Sequence, residues 1–103
     1  MENAKFTTAF AKAIVQSDPS GDHAAMDAAR TAITDFLACM IAGANDRTAG
    51  ILANAIGADL PGKAILVGQA RQTDPLAAAV LNAYAGHVLD YDDVHASVRG
   101  HPT

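Results

Sequence analysis

Tryptophan is absent, and aromatics make up only 5% of the 103 residues while half the chain is hydrophobic. Burial must therefore rest on alanine and the branched aliphatics, which suit close-packed helices better than a sheet. Positive charge is also scarce, with seven Lys and Arg against eleven Asp and Glu, a formal net charge of −4 and a pI near 5.3. Lys5, Lys12, Arg30, Arg47, Lys63, Arg71 and Arg99 are scattered rather than clustered, which argues against a phosphate-tracking surface and so against a nucleic-acid partner. The single cysteine, Cys39, excludes an internal disulfide, and among Phe36, Leu37, Met40 and Ile41 it reads as a small buried hydrophobe in a reducing, cytoplasmic setting. No apolar run nears the ~20 residues that cross a bilayer, and the start, Met-Glu-Asn-Ala-Lys-Phe, lacks the pattern of a signal peptide, so no membrane is expected. The length fits one domain or part of one.

What is present is helical periodicity with clear punctuation. Phe6, Ala9, Phe10, Ala13 and Ile14 recur at three- and four-residue steps, predicting an amphipathic helix from Asn3 to about Gln16 that Asp18-Pro-Ser-Gly21 ends. Ser20 or Asp22 can cap a longer helix whose stripe is Met26, Ala29, Ile33, Phe36, Leu37, Met40 and Ile41, with Gly43 expected to end it in the left-handed conformation. Asp46 caps a shorter helix from Arg47 or Thr48 to Ile56, with Gly57 as its stop. Ala64-Ile-Leu-Val-Gly68 reads as an extended connector or one small strand. Asp74-Pro75 is a strong helix start, because the carboxylate caps free N–H groups and proline fits the first helical position. The helix it opens, Leu76 to Leu89, is apolar nearly all round and rich in small residues, so neighbouring backbones can approach it closely. The fold class is all-α: four helices with at most one short extended segment.

Titratable groups concentrate after that last helix. Three of the four histidines (His87, His95, His101), the carboxylates Asp90, Asp92 and Asp93, and Arg99 fall within fifteen residues. If the helix persists, His87, Asp90 and Asp93 share a face while Tyr91 and Asp92 point elsewhere. Crowded carboxylates raise at least one pKa unless cations or donors compensate. Three readings stand side by side. His87, His95 and one aspartate could hold a metal, although the spacing matches no defined signature. His101 and a carboxylate could act as acid and base, with Arg99 on the carboxylates of a small substrate. The segment could instead be a solvated acidic end or a helix interface with incidental histidines.

The run Asp74-Pro-Leu-Ala-Ala-Ala-Val-Leu-Asn-Ala-Tyr-Ala-Gly-His-Val-Leu-Asp-Tyr-Asp-Asp93, followed by His101-Pro102, resembles the signature region of the MmgE/PrpD family. The stretch Ala28 to Gly43 is similar to that family's opening helix, so the resemblance runs in order over nearly the whole chain. It implies an all-helical main domain, of which residues 1–103 are the N-terminal part, a smaller lid domain beyond it, and an active site in the cleft between them. It also implies 2-methylcitrate dehydratase-, cis-aconitate decarboxylase- or iminodisuccinate epimerase-like chemistry on small polycarboxylates, without metal or organic cofactor. Carried over, Asp90 and His101 are catalytic, while His87, Asp93 and Arg99 contact substrate. Val94 stands where a threonine is often found, and Ala83 replaces a common glycine. Family enzymes are several times longer, and a cleft needs groups from both walls, so the chain alone is expected to be inactive and to form a homodimer or otherwise self-associate through exposed apolar faces. The alternative is a small helical interaction module without catalysis.

Overall fold

The computed structural model describes residues 2–56, 59–97 and 99–102, with backbone alone for residues 2–4. Gly57, expected to stop the third helix, and Thr103 lie outside the described residues. Four α-helices appear among the described residues: α1 (Glu2–Gln16), α2 (His23–Gly43), α3 (Arg47–Ile56) and α4 (Pro75–His87). Between α3 and α4 lies one small antiparallel hairpin, β1 (Ala64–Leu66) and β2 (Arg71–Thr73). The four-helix, all-α reading holds apart from one tiny hairpin, in which the expected connector is a strand with a partner.

The caps follow from local chemistry. Asp18 accepts from the Ser20 amide and opens a single 3-10 turn at Pro19–Gly21, and Asp22 then caps α2 by accepting from the Ala25 amide at 3.0 Å. Asp46 accepts from both the amide and the hydroxyl of Thr48. Asp74 accepts from Leu76 and Ala77 amides ahead of Pro75. Each carboxylate fills donors that the first helical turn leaves free.

The core lies where α4 meets α3 and the hairpin. Leu66, Ala78 and Leu81 are buried there, with Leu52, Ala53, Ile56 and Ala64 packed around them. Asn82 locks the hairpin to α4: its Nδ2 donates to the Ile65 carbonyl and its Oδ1 accepts from the Val67 amide, both at 2.9 Å. Gly68, at φ +75°, makes the turn that a side chain would strain. Beyond it Gln69 Nε2 donates to the Ala44 carbonyl and so ties the turn to the end of α2.

The most extensive helix packing is α2 on α4. Two glycines allow it. A methyl on Gly43 would come within 2.1 Å of the Ala85 carbonyl oxygen, and one on Gly86 within 2.5 Å of the Phe36 ring. Gly43 therefore serves close approach, not a left-handed stop: the following residue, Ala44, is right-handed, and Gly68 alone among the described glycines has positive φ. The buried line of α2 runs through Cys39 and Gly43, with Phe36 and Met40 half-buried beside it. Ile33, Leu37 and Ile41, from the expected stripe, face outward.

The apolar face of α1 is uncovered as well. Phe6 and Phe10 stack on each other, yet both are exposed with Ile14 and Val15, and among the described residues α1 makes no substantial contact with other elements. The chain accordingly presents 7665 Å² to solvent, against about 5,400 Å² for a compact monomer of its mass.

Gly43→Ala is expected to cost about 1–3 kcal/mol, because backbone must move to admit the methyl. Gly86→Ala should cost less, since the far end of the Phe36 ring can turn aside. Thermal melts of the two variants check the order, and an equal or reversed loss would contradict the close-approach account.

Candidate active site

The polar end is built by how α4 stops. The helix ends at His87, and the Asp90 amide donates back to the His87 carbonyl at 2.9 Å with Asp90 at φ +55°. The expected helical face through His87, Asp90 and Asp93 therefore does not form. Instead the left-handed residue redirects the chain, and Asp92 turns inward while Tyr91 stays exposed. A second left-handed residue, Arg99 at φ +49°, closes the return loop, in which the His95 amide donates to the Gly100 carbonyl and the Arg99 amide to the His95 carbonyl. Non-glycine residues in this region cost on the order of 1–3 kcal/mol each, and such strain concentrates at functional sites. The return brings His101 back against the end of α4.

The result is a four-residue cluster. The Asp92 side chain is 3% exposed, and both its oxygens lie 3.1 Å from His87 Nδ1. His101 Nδ1 is 3.0 Å from Asp92 Oδ2, and His101 Nε2 is 3.6 Å from Asp90 Oδ1. The two imidazoles meet edge to face with centroids 4.5 Å apart. Exposure grades outward, from buried Asp92 through His101 (29%) and His87 (58%) to Asp90 (79%). Burial alone would push the Asp92 carboxyl up; the hydrogen bond from His87, with the charges of His101 and His87, outweighs it and holds the group below the usual carboxylate range. Crowding with the other carboxylates does not set its direction, because the histidines compensate.

A family model described as the MmgE/PrpD N-terminal domain matches residues 6–103. The chain belongs to the MmgE/PrpD family. No curated protein and no solved structure matches it.

Of the residues expected to form the site of this MmgE/PrpD chain, the structure brings together Asp90, His101 and His87. Asp93 and Arg99 lie outside the cluster: Asp93 is half-buried, and Arg99 is exposed with no ion pair among the described residues. Asp92, expected to point elsewhere, is the hub. Nothing in the spacing marks it, because helical extrapolation fails once Asp90 leaves the helix; the only pointer is that one of three adjacent carboxylates must pair with the histidines. The metal-ligating atoms of His87, Asp90, Asp92 and His101 lie within 4.8 Å of one another, so these four, and not the His87–His95 pair, are the described residues able to hold a cation. Burial pushes the Cys39 thiol up, and the carboxylates of Asp35, Asp92 and Asp93 push the same way, which disfavours the reactive thiolate. A larger cleft, about 720 Å³, opens between α3, the hairpin turn and α4, but none of the four cluster residues lines it. The cluster, where two imidazoles meet one buried and one exposed carboxylate, is the candidate site. No described helix is long and apolar enough to cross a membrane.

Because the Asp92 pKa is lowered on folding, the folded chain binds fewer protons than the unfolded one near the ordinary carboxylate value. Its contribution to stability is complete above roughly pH 5, about one unit beyond that value, and is lost as pH falls through the folded value. Cap hydrogen bonds lower Asp18 and Asp46 in the same way, the Ser20 and Thr48 side chains contributing most, so the Asp92 share is the difference between wild type and Asp92→Asn. The variant is expected to show a flatter acid limb in stability against pH; an unchanged limb would contradict the role of this carboxylate.

Proposed function

We propose that residues 1–103 form the N-terminal part of the helical domain of a MmgE/PrpD enzyme acting on small polycarboxylates, and that Asp90 and His101 are its acid/base pair. The observation that carries this reading is the placement of His101 Nε2 3.6 Å from Asp90 Oδ1 at the solvent-facing side of the cluster. That separation is longer than a hydrogen bond, as acid/base contacts often are before substrate binds. One proton shared between imidazole and carboxylate can be taken from a carbon next to a substrate carboxylate, or given to a leaving group or to that carbon. Dehydration, decarboxylation and epimerisation all use this exchange.

A polyanion beside Asp90 and Asp92 needs positive charge. The guanidinium of Arg99, which has no ion pair among the described residues, supplies it from this wall; His87, more than half exposed, offers the substrate a ring nitrogen for a hydrogen bond, and Asp93 borders them in the chain. Asp90 is open to water, which weakens charge–charge contacts and admits side reactions. Turnover therefore needs an opposing wall, and the isolated chain is expected to be inactive. The unpaired thiol of Cys39 and the acidic surface suit a cytoplasmic enzyme, and the uncovered apolar helices suit a homodimer.

In the native gene product, Asp90→Asn or His101→Ala should each lower turnover of small di- and tricarboxylates by about 100-fold or more. Retained turnover would overturn the pair. The proposal also needs no cofactor, so activity is expected to survive exhaustive chelation. Loss on chelation, restored by one divalent ion, would transfer the four-residue cluster to metal chemistry.

The exposed face of α1, with Phe6, Phe10, Ile14 and Val15, favours a second reading, a helical interaction module. Association that rises with concentration, with no binding of any carboxylate, would select it.

A further inference from the structure

Resting on the reading of Asp90 and His101 as the acid/base pair, we propose that Asp92 is the positioning residue of this site, holding the proton of both neutral imidazoles on Nδ1 and leaving each Nε2 as a base. A neutral imidazole has one proton and two nitrogens to place it on. At His101 two carboxylates compete for it. Asp92 Oδ2 lies 3.0 Å from Nδ1 and its side chain is 3% exposed; Asp90 Oδ1 lies 3.6 Å from Nε2 and its side chain is 79% exposed. Attraction grows with shorter distance and with lower surrounding dielectric, and both favour Asp92. A bare nitrogen lone pair facing a buried carboxylate at 3.0 Å would be repelled, so Nδ1 carries the proton. At His87, Nδ1 is equidistant, at 3.1 Å, from both oxygens of Asp92.

This divides the two carboxylates by task. Asp92 touches the imidazoles and not the solvent-facing side, so it acts through His101. Asp90 stays free to exchange a proton with Nε2. Without Asp92, the neutral His101 would place its proton on Nε2 toward Asp90, and the base that the pair needs would be capped.

Asp92→Leu tests this, because it keeps the volume and removes both acceptors; Asp92→Asn would not, since Oδ2 lies 3.1 Å from His87 Nδ1 and 3.0 Å from His101 Nδ1 and an amide oxygen in its place could still accept from both. With no acceptor left at Nδ1, His101 is expected to turn over, since Asp90 can receive its Nε2–H.

The readout is the long-range proton–nitrogen NMR spectrum of the ¹⁵N-histidine-labelled protein, about two pH units above the ordinary imidazole pKa. His23→Gln and His95→Gln assign the remaining signals. Wild type should show Nδ1–H at both His87 and His101, and Asp92→Leu should move His101 to Nε2–H. An Nε2–H tautomer at His101 in the wild type would overturn the proposal even if the variant failed to fold, and so would a folded variant with both tautomers unchanged. Where the native product turns over a polycarboxylate, Asp92→Leu should lower kcat by about 100-fold with little change in KM. Nδ1–H at both histidines in a native product that turns over no polycarboxylate would support Asp92 while overturning the acid/base reading, so the two fail separately.

Discussion

A carboxylate shut away from water is costly unless hydrogen-bond donors meet it, and Asp92 is met from two directions. His87 comes from the last residue of α4, and His101 from the chain that returns after the loop. Satisfying one buried charge thus fixes where the helix ends and how the loop closes, and it brings His101 within reach of Asp90. Upstream, Gly43 and Gly86 let α2 lie close against α4, and Asn82 pins the hairpin to the same helix. The helix that bears His87 is therefore held on several sides before its polar end is reached.

Elements whose cause is local were legible in the sequence. Asp22, Asp46 and Asp74 cap the helices they were expected to cap, because a carboxylate and the amides two or three residues ahead are all the chemistry requires. The family motif likewise named Asp90, His101 and His87 together. What was not legible depends on residues distant in the chain. β2, Arg71-Gln-Thr73, has a polar composition with no strand pattern, and pairs only because Asn82 and the Gly68 turn hold β1 in place. Gly43 looked like a helix stop and is a contact point, a distinction set by Ala85 some forty residues later. The inward turn of Asp92 follows from left-handed backbone at Asp90, where no glycine or proline marks a break.

The same physics explains why much of the surface remains apolar. Alanine-rich helices gain their burial by close approach, so each uncovered face is a large share of what the chain can bury. α1 and the Ile33–Leu37–Ile41 line of α2 are such faces. The cluster is open in the same sense: Asp90 and His87 face water, which suits a site completed from the opposite side.

The central claim is that Asp90 and His101 exchange a proton with carbon next to a carboxylate. The most direct measurement is hydrogen exchange, followed by NMR, in small polycarboxylates incubated with the native gene product in deuterated water. Deuterium entering a C–H position adjacent to a carboxylate, and ceasing when His101 is replaced, is the result predicted. Binding of those polycarboxylates by a folded protein with no exchange at any such position would contradict it.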